Sequence, residues 1–143
     1  MKLLGLGLAL ASAVCWGLTY TLTEKILQKT HSFSIIFIES LLATLITLPL
    51  FFGKAGGIKA LVGVGTPTLL LLGVSTVTAI LGYFFIYESI KLVGASIATF
   101  FEVGYPFFVV IFSMLLLGTH INWFCILGGT FICAGVVIIG TFC

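Results

Sequence analysis

Long apolar runs broken by a few charged residues set the pattern of this chain. A membrane span needs about 20 predominantly apolar residues. Cutting the sequence at its charges and Gly/Pro clusters leaves five such runs, at about 3–22, 33–52, 68–87, 93–117 and 121–142. The runs are long and lack the alternation of barrel strands, so the pattern predicts helices. The expected fold is all-α and integral to the membrane, a single five-helix domain over residues 1–143 with no room for a soluble domain. The connections are short. Glu24, Lys25, Lys29 and His31 mark the first, and Lys54, Lys59 and the Gly-rich GKAGG the second. Glu88 and Lys91 mark the third, and residues 118–122 form a tight fourth. Lys2 and the Leu-rich start up to Ala11-Ser12-Ala13 imitate a signal peptide with a cleavage site. The apolar run continues through Trp16 and Tyr20 to Leu22, however, which predicts a retained first helix.

Composition narrows the class further. Only 7% of the 143 residues are charged and 61% are hydrophobic, whereas a soluble domain carries about a quarter of its residues as Asp, Glu, Lys and Arg. The chain has no Arg and no Asp. These values exclude a soluble enzyme, a disordered chain and a disulfide-stapled secreted domain. No basic run exists that could hold phosphates, so no nucleic-acid partner is expected. Cys15, Cys125, Cys133 and Cys143 lie in apolar stretches without CxxC or CxxH spacing and read as small packing residues. His31 and His120 lack a second ligand at metal spacing. With no nucleophile–base pair either, the sequence predicts no enzyme, no cofactor and no metal.

Charge does not orient the chain. Lys2, Lys54 and Lys59 fall on the N-terminal side, and Lys25, Lys29 and Lys91 on the opposite one. The excess of Lys and Arg that marks a cytoplasmic face is therefore absent. Such a balance suits insertion in both orientations; a weak bias read by a partner protein is the other reading. Five spans put the termini on opposite faces, and no internal repeat is visible. Two oppositely oriented copies would have ten helices related by a two-fold axis in the membrane plane. That is the inverted-repeat plan of many secondary transporters, with binding near the midplane.

Eight of the ten charged residues sit at span ends, where Lys snorkels and Glu stays wet. Glu39 and Glu102 lie inside the second and fourth spans. A charged side chain there costs at least about 2.5–3.5 kcal/mol, so each must face a partner or water, or take up a proton. At helical spacing, Ala95, Ala98, Thr99, Tyr105, Pro106 and Ser113 share a small or polar face with Glu102. Ser40, Ala43 and Thr47 do so with Glu39, and Ser75, Thr78, Ala79 and Gly82, with Tyr83 nearby, form a stripe on the third helix. The first helix offers Trp16, Tyr20 and Thr23. Helices one to four can thus line a cavity, while the fifth, with Gly128, Gly129, Ala134 and Gly135, suits close packing. Pro106 inside a continuous fourth helix would leave the Glu102 carbonyl without its helical partner. The plainer readings are packing and anchoring. Glu102 and Glu39 can be interhelical hydrogen-bonding groups, and Trp16, Tyr20, Tyr83 and Tyr87 interfacial anchors. The stripe Ala9, Ala13 and Gly17 can be a helix-packing face.

FEVGYPFFVVIFSMLLLG at 101–118, GGTFICAGVVIIG at 128–140 and CWGLTYTLTEK at 15–25 resemble the EamA-like unit of the drug/metabolite transporter superfamily. The likeness covers essentially the whole chain. It departs from the family in three respects. The chain is a single unit where most members fuse two, Thr119 stands where an acidic residue closes the fourth-helix pattern, and Glu39 stands in a second helix that often carries Arg. The smaller multidrug-resistance relatives carry a Glu inside the first span, and this chain has none there. The resemblance implies one half of an inverted-repeat transporter, completed by an antiparallel homodimer or by an oppositely oriented paralogue. The expected activity is secondary-active export of a small metabolite or drug-like compound, cationic or zwitterionic, by proton antiport through an intramembrane Glu. An apolar surrounding favours the protonated form of a carboxyl group, which lets such a residue exchange a proton for a cation. The expected substrate and proton site is Glu102, Glu39, Tyr105, Pro106, Trp16, Tyr20, Tyr83 and Thr99. The expected setting is multi-pass in the lipid bilayer of a bacterial or archaeal cytoplasmic (inner) membrane. A subunit of a lipid-carrier flippase and a non-transporting accessory membrane protein are the alternatives.

Overall fold

The computed structural model describes residues 2–54, 56–120 and 122–142. Ala55 of the Gly-rich connection, Ile121 at the expected start of the fifth span and Cys143 lie outside the described residues. Among the described residues the chain forms seven helices and no strand. They are α1 (Lys2–Leu27), α2 (Ser32–Gly53), α3 (Gly57–Gly63), α4 (Thr66–Val93), α5 (Ala95–Glu102), α6 (Tyr105–Leu117) and α7 (Trp123–Phe142). Five stretches are long and apolar enough to cross a membrane: Leu3–Leu27, Ser32–Gly53, Thr66–Val93, Ala95–Leu117 and Trp123–Phe142. The all-helical, five-span fold expected from the apolar runs is what the chain adopts.

Three details differ from the expectation. The first and third spans continue past the charges at which the apolar runs stop, to Leu27 and Val93. Lys25 and Lys91 then fall in the last turns of α1 and α4, where a cation complements the negative end of the helix dipole. The second connection contains a short helix, α3, that carries Lys59. The fourth span is two helices rather than one. Pro106 does not sit inside a continuous helix but in the first turn of α6, where its missing N–H is not needed. Val103 and Gly104 form the joint, with the Val103 N–H donated to Thr99 O (2.9 Å) and the Gly104 N–H to Phe101 O (3.1 Å). Glu102 is now the last residue of α5, so its carbonyl belongs to the set that a helix end leaves without an intrahelical partner.

The chain divides into two compact units, 1–24 with 89–143, and 25–88. In the first, α5 runs beside α7, and the Phe101 ring lies so close to Gly140 that a Cβ there would meet its Cζ at 2.5 Å. In the second, Phe33 of α2 stacks on Phe84 of α4 with ring centres 4.7 Å apart. Here too the Ser32 hydroxyl donates to the Glu88 carboxylate at 2.6 Å. Among the described residues the buried side chains lie in two stretches of sequence, 23–36 and 86–98, and include Thr23, Ser32, Tyr87 and Ile90. Elsewhere the helices present Leu, Ile, Val and Phe outward, as surfaces bathed in lipid do.

Candidate functional site: two tyrosine–carboxyl pairs

Glu39 and Glu102 each meet a tyrosine hydroxyl. In the first unit, Tyr20 of α1 donates to Glu102 Oε1 at 3.0 Å. In the second, Tyr87 of α4 donates to Glu39 Oε2 at 2.5 Å. Both carboxyl groups are half-buried, and Tyr87 is fully buried. A long side chain with a terminal hydroxyl is a fitting partner here, because its ring packs with the apolar surroundings while its O–H reaches the acceptor. Neither pair is close in sequence: 82 and 48 residues separate the partners.

The other expected site residues distribute around these pairs. Trp16 stacks on Tyr20 with ring centres 5.5 Å apart, so the first-helix stripe presents an aromatic pair beside Glu102. Tyr83 lies one turn from Tyr87, ring centres 6.0 Å apart. Thr99 turns its hydroxyl back onto its own helix, donating to Ala95 O at 2.7 Å and Ser96 O at 3.2 Å. The same back-bonding holds Thr47 to Ala43 O and Thr78 to Val74 O; both are exposed, as are Ser75 and Ala79. Pro106 opens α6 just after the joint, and Tyr105 beside it is 61% exposed. The structure therefore gathers Trp16, Tyr20 and Glu102 in one unit, and Tyr83, Tyr87 and Glu39 in the other. Thr99 is bonded to its own backbone.

Two contacts were missed by sequence reasoning, which took the residues only as loop charges. The Ala95 N–H donates to Glu24 Oε2 at 3.0 Å, so the carboxylate of one helix caps the start of another. Gly94 at φ +83° provides the conformation, and a Cβ on it would lie 3.4 Å from Glu24 Oε1. The signal was a helix opening on glycine, with no side chain of its own to accept the first N–H groups. The second is Ser32 with Glu88. Among the described residues no buried side-chain nitrogen or oxygen lacks a hydrogen-bond partner. No group of three or more His, Cys, Asp or Glu comes together among them.

A cleft of about 520 Å³ opens in the first unit, lined by Val103, Pro106, Phe107 and Val110 and by Ile126 and Gly129 of α7. Its walls are apolar, and the Glu102–Tyr20 pair is not among the residues that line it.

Five apolar helical stretches of spanning length define a polytopic membrane protein of the all-helical class. The model of the EamA-like transporter family matches residues 3–141, and the chain belongs to that family. No curated protein and no solved structure was found to match it.

Proposed function

We propose that the chain is a single five-helix half of a secondary-active transporter, completed in the membrane by an oppositely oriented second half. A second copy of the same chain is the partner that the balanced lysine count supports. Helices of both halves surround a midplane cavity, and the cargo is a small cationic or zwitterionic compound exported in exchange for protons. The observation that carries this reading is the half-buried Glu102 carboxylate at the break of the fourth span, held by one tyrosine hydroxyl at 3.0 Å. A proton on the carboxyl neutralises it; a cationic cargo pairs with it only after that proton has left. Each occupant excludes the other, which is the competition an antiporter needs. Trp16 and Tyr20 offer the cation aromatic faces beside the carboxylate.

The test is proton-driven uptake of a lipophilic cationic dye such as ethidium into liposomes holding the full chain. Glu102→Gln, which keeps the side chain's shape, is expected to fall to the level of empty vesicles while inserting normally. Undiminished uptake by that variant overturns the reading.

The apolar cleft between α6 and α7 favours a second reading, a subunit that handles a lipid-linked carrier in an inner membrane. It predicts translocation of a fluorescent lipid without any proton gradient, and no dependence on Glu102.

A further inference from the structure

We propose that Glu24 is a positioning residue: it anchors the start of α5, so that release of Glu102 from Tyr20 swings α5 and bends the chain at Val103–Gly104. The inference rests on the reading of Glu102 as the exchange site.

The argument begins with α1. Tyr20 and Glu24 stand one turn apart on one helix face, about 6 Å along the axis at 1.5 Å per residue. Glu24 takes the N–H of Ala95, the first residue of α5, and Tyr20 donates to Glu102, its last. One face of α1 therefore holds an eight-residue helix at both ends. The two ties differ in chemistry. Glu24 accepts from a backbone N–H, a donor that neither gains nor loses a proton over the working pH range, at the positive end of a helix dipole. Tyr20 holds the carboxyl group that a proton or a cation would claim. Occupancy at Glu102 thus loosens the far tie and leaves the near one, and a rod held at one end swings rather than slides.

The joint beyond α5 suits that motion. Val103 and Gly104 break the helix, and Pro106 starts α6 as a separate rod. On the other side, Phe101 bears against Gly140 of α7. The charged or titratable groups on the elements around Glu102 are Cys15, Tyr20, Glu24 and Lys25 on the described part of α1, Tyr105 on α6, and Cys125 and Cys133 on α7, which carries no charged residue. The other carboxylate on these elements is Glu24, the anchor itself, at the opposite end of α5.

The experiment uses the full chain in liposomes, its native cysteines replaced by Ala, with spin labels at the exposed positions Leu8 of α1 and Leu116 of α6. Infrared spectra first identify the Glu102 carboxyl band as the one lost in Glu102→Gln. If no such band titrates, the transporter reading fails before any Glu24 variant is made, and this inference falls with it. If it titrates, the label distance is expected to shift between acid and alkaline pH. In Glu24→Ala the band is expected to titrate as before while the distance shift is abolished. Glu24→Gln is expected to restore the shift, because its amide oxygen still accepts the Ala95 N–H. Gly94→Ala attacks the same contact with the carboxylate intact and is expected to reduce the shift, which serves should Glu24→Ala fail to insert. A wild-type shift in Glu24→Ala or Gly94→Ala, or no rescue by Gln, overturns the proposal.

Discussion

The chain has four carboxylates, and every one accepts a hydrogen bond from a residue far along the sequence. Tyr20, Ser32, Tyr87 and the Ala95 N–H are the donors. In an apolar medium an unpaired carboxylate is heavily penalised, so each pair ties two helices as firmly as the penalty for separating it. The two tyrosine pairs should nevertheless respond differently to loss of the hydroxyl. Tyr87 is fully buried, and Tyr87→Phe keeps the packing while depriving Glu39 of its donor. A destabilisation of about 1–3 kcal/mol is expected, read as a lower thermal midpoint in detergent. Tyr20→Phe leaves a half-exposed acceptor and should shift the midpoint less. A larger loss in Tyr20→Phe than in Tyr87→Phe would contradict the assignment of Glu39 to holding α2 on α4. The same logic separates the carboxyl groups themselves: Glu39→Gln, still an acceptor for Tyr87, is expected to retain ethidium uptake where Glu102→Gln loses it.

At the scale of elements, close approach and helix breaks decide the behaviour. Phe101 and Gly140 fill one another's space, since a Cβ on Gly140 would meet the ring at 2.5 Å. Gly140→Ala should destabilise by about 1–3 kcal/mol through overpacking, and the smaller Phe101→Leu should relieve most of that in the double variant. Thermal midpoints of the four proteins check it; additive losses would mean that the two residues are not in contact. Pro106→Ala, in contrast, should change stability by less than about 1 kcal/mol, because a first-turn proline gives up no helical hydrogen bond. A proline inside a continuous helix would give a far larger effect on replacement. This contrast also shows what the sequence could carry. Five apolar runs announced five spans, because burial in lipid depends on composition alone. The split of the fourth span was not legible, since period and polarity are the same for a continuous helix with a proline and for two helices with a joint. Nor were the carboxyl partners: Glu39 and Glu102 stood out as residues needing company, but choosing Tyr87 and Tyr20 required the chain to be folded. Glu24 was hidden for the opposite reason, because a charge at a span end needs no explanation until a glycine-started helix is found against it.

For the molecule as a whole, the lysines govern orientation in the bilayer. Five spans put the termini on opposite sides, and with three Lys on each side the charge difference that fixes topology is zero. An outward-facing surface of Leu, Ile, Val and Phe over most of the helices leaves ample apolar area for a second copy to cover. If the copies insert both ways, a C-terminal tag should report from both sides of the membrane. Adding two Lys beside Lys54 and Lys59 should then lock one orientation, and adding two beside Lys25 and Lys29 the other. Each locked form alone should lose ethidium uptake, and co-expression should recover it, because only the mixture contains antiparallel pairs. Activity of a single locked form would instead mean that parallel copies, or a fixed partner, complete the transporter.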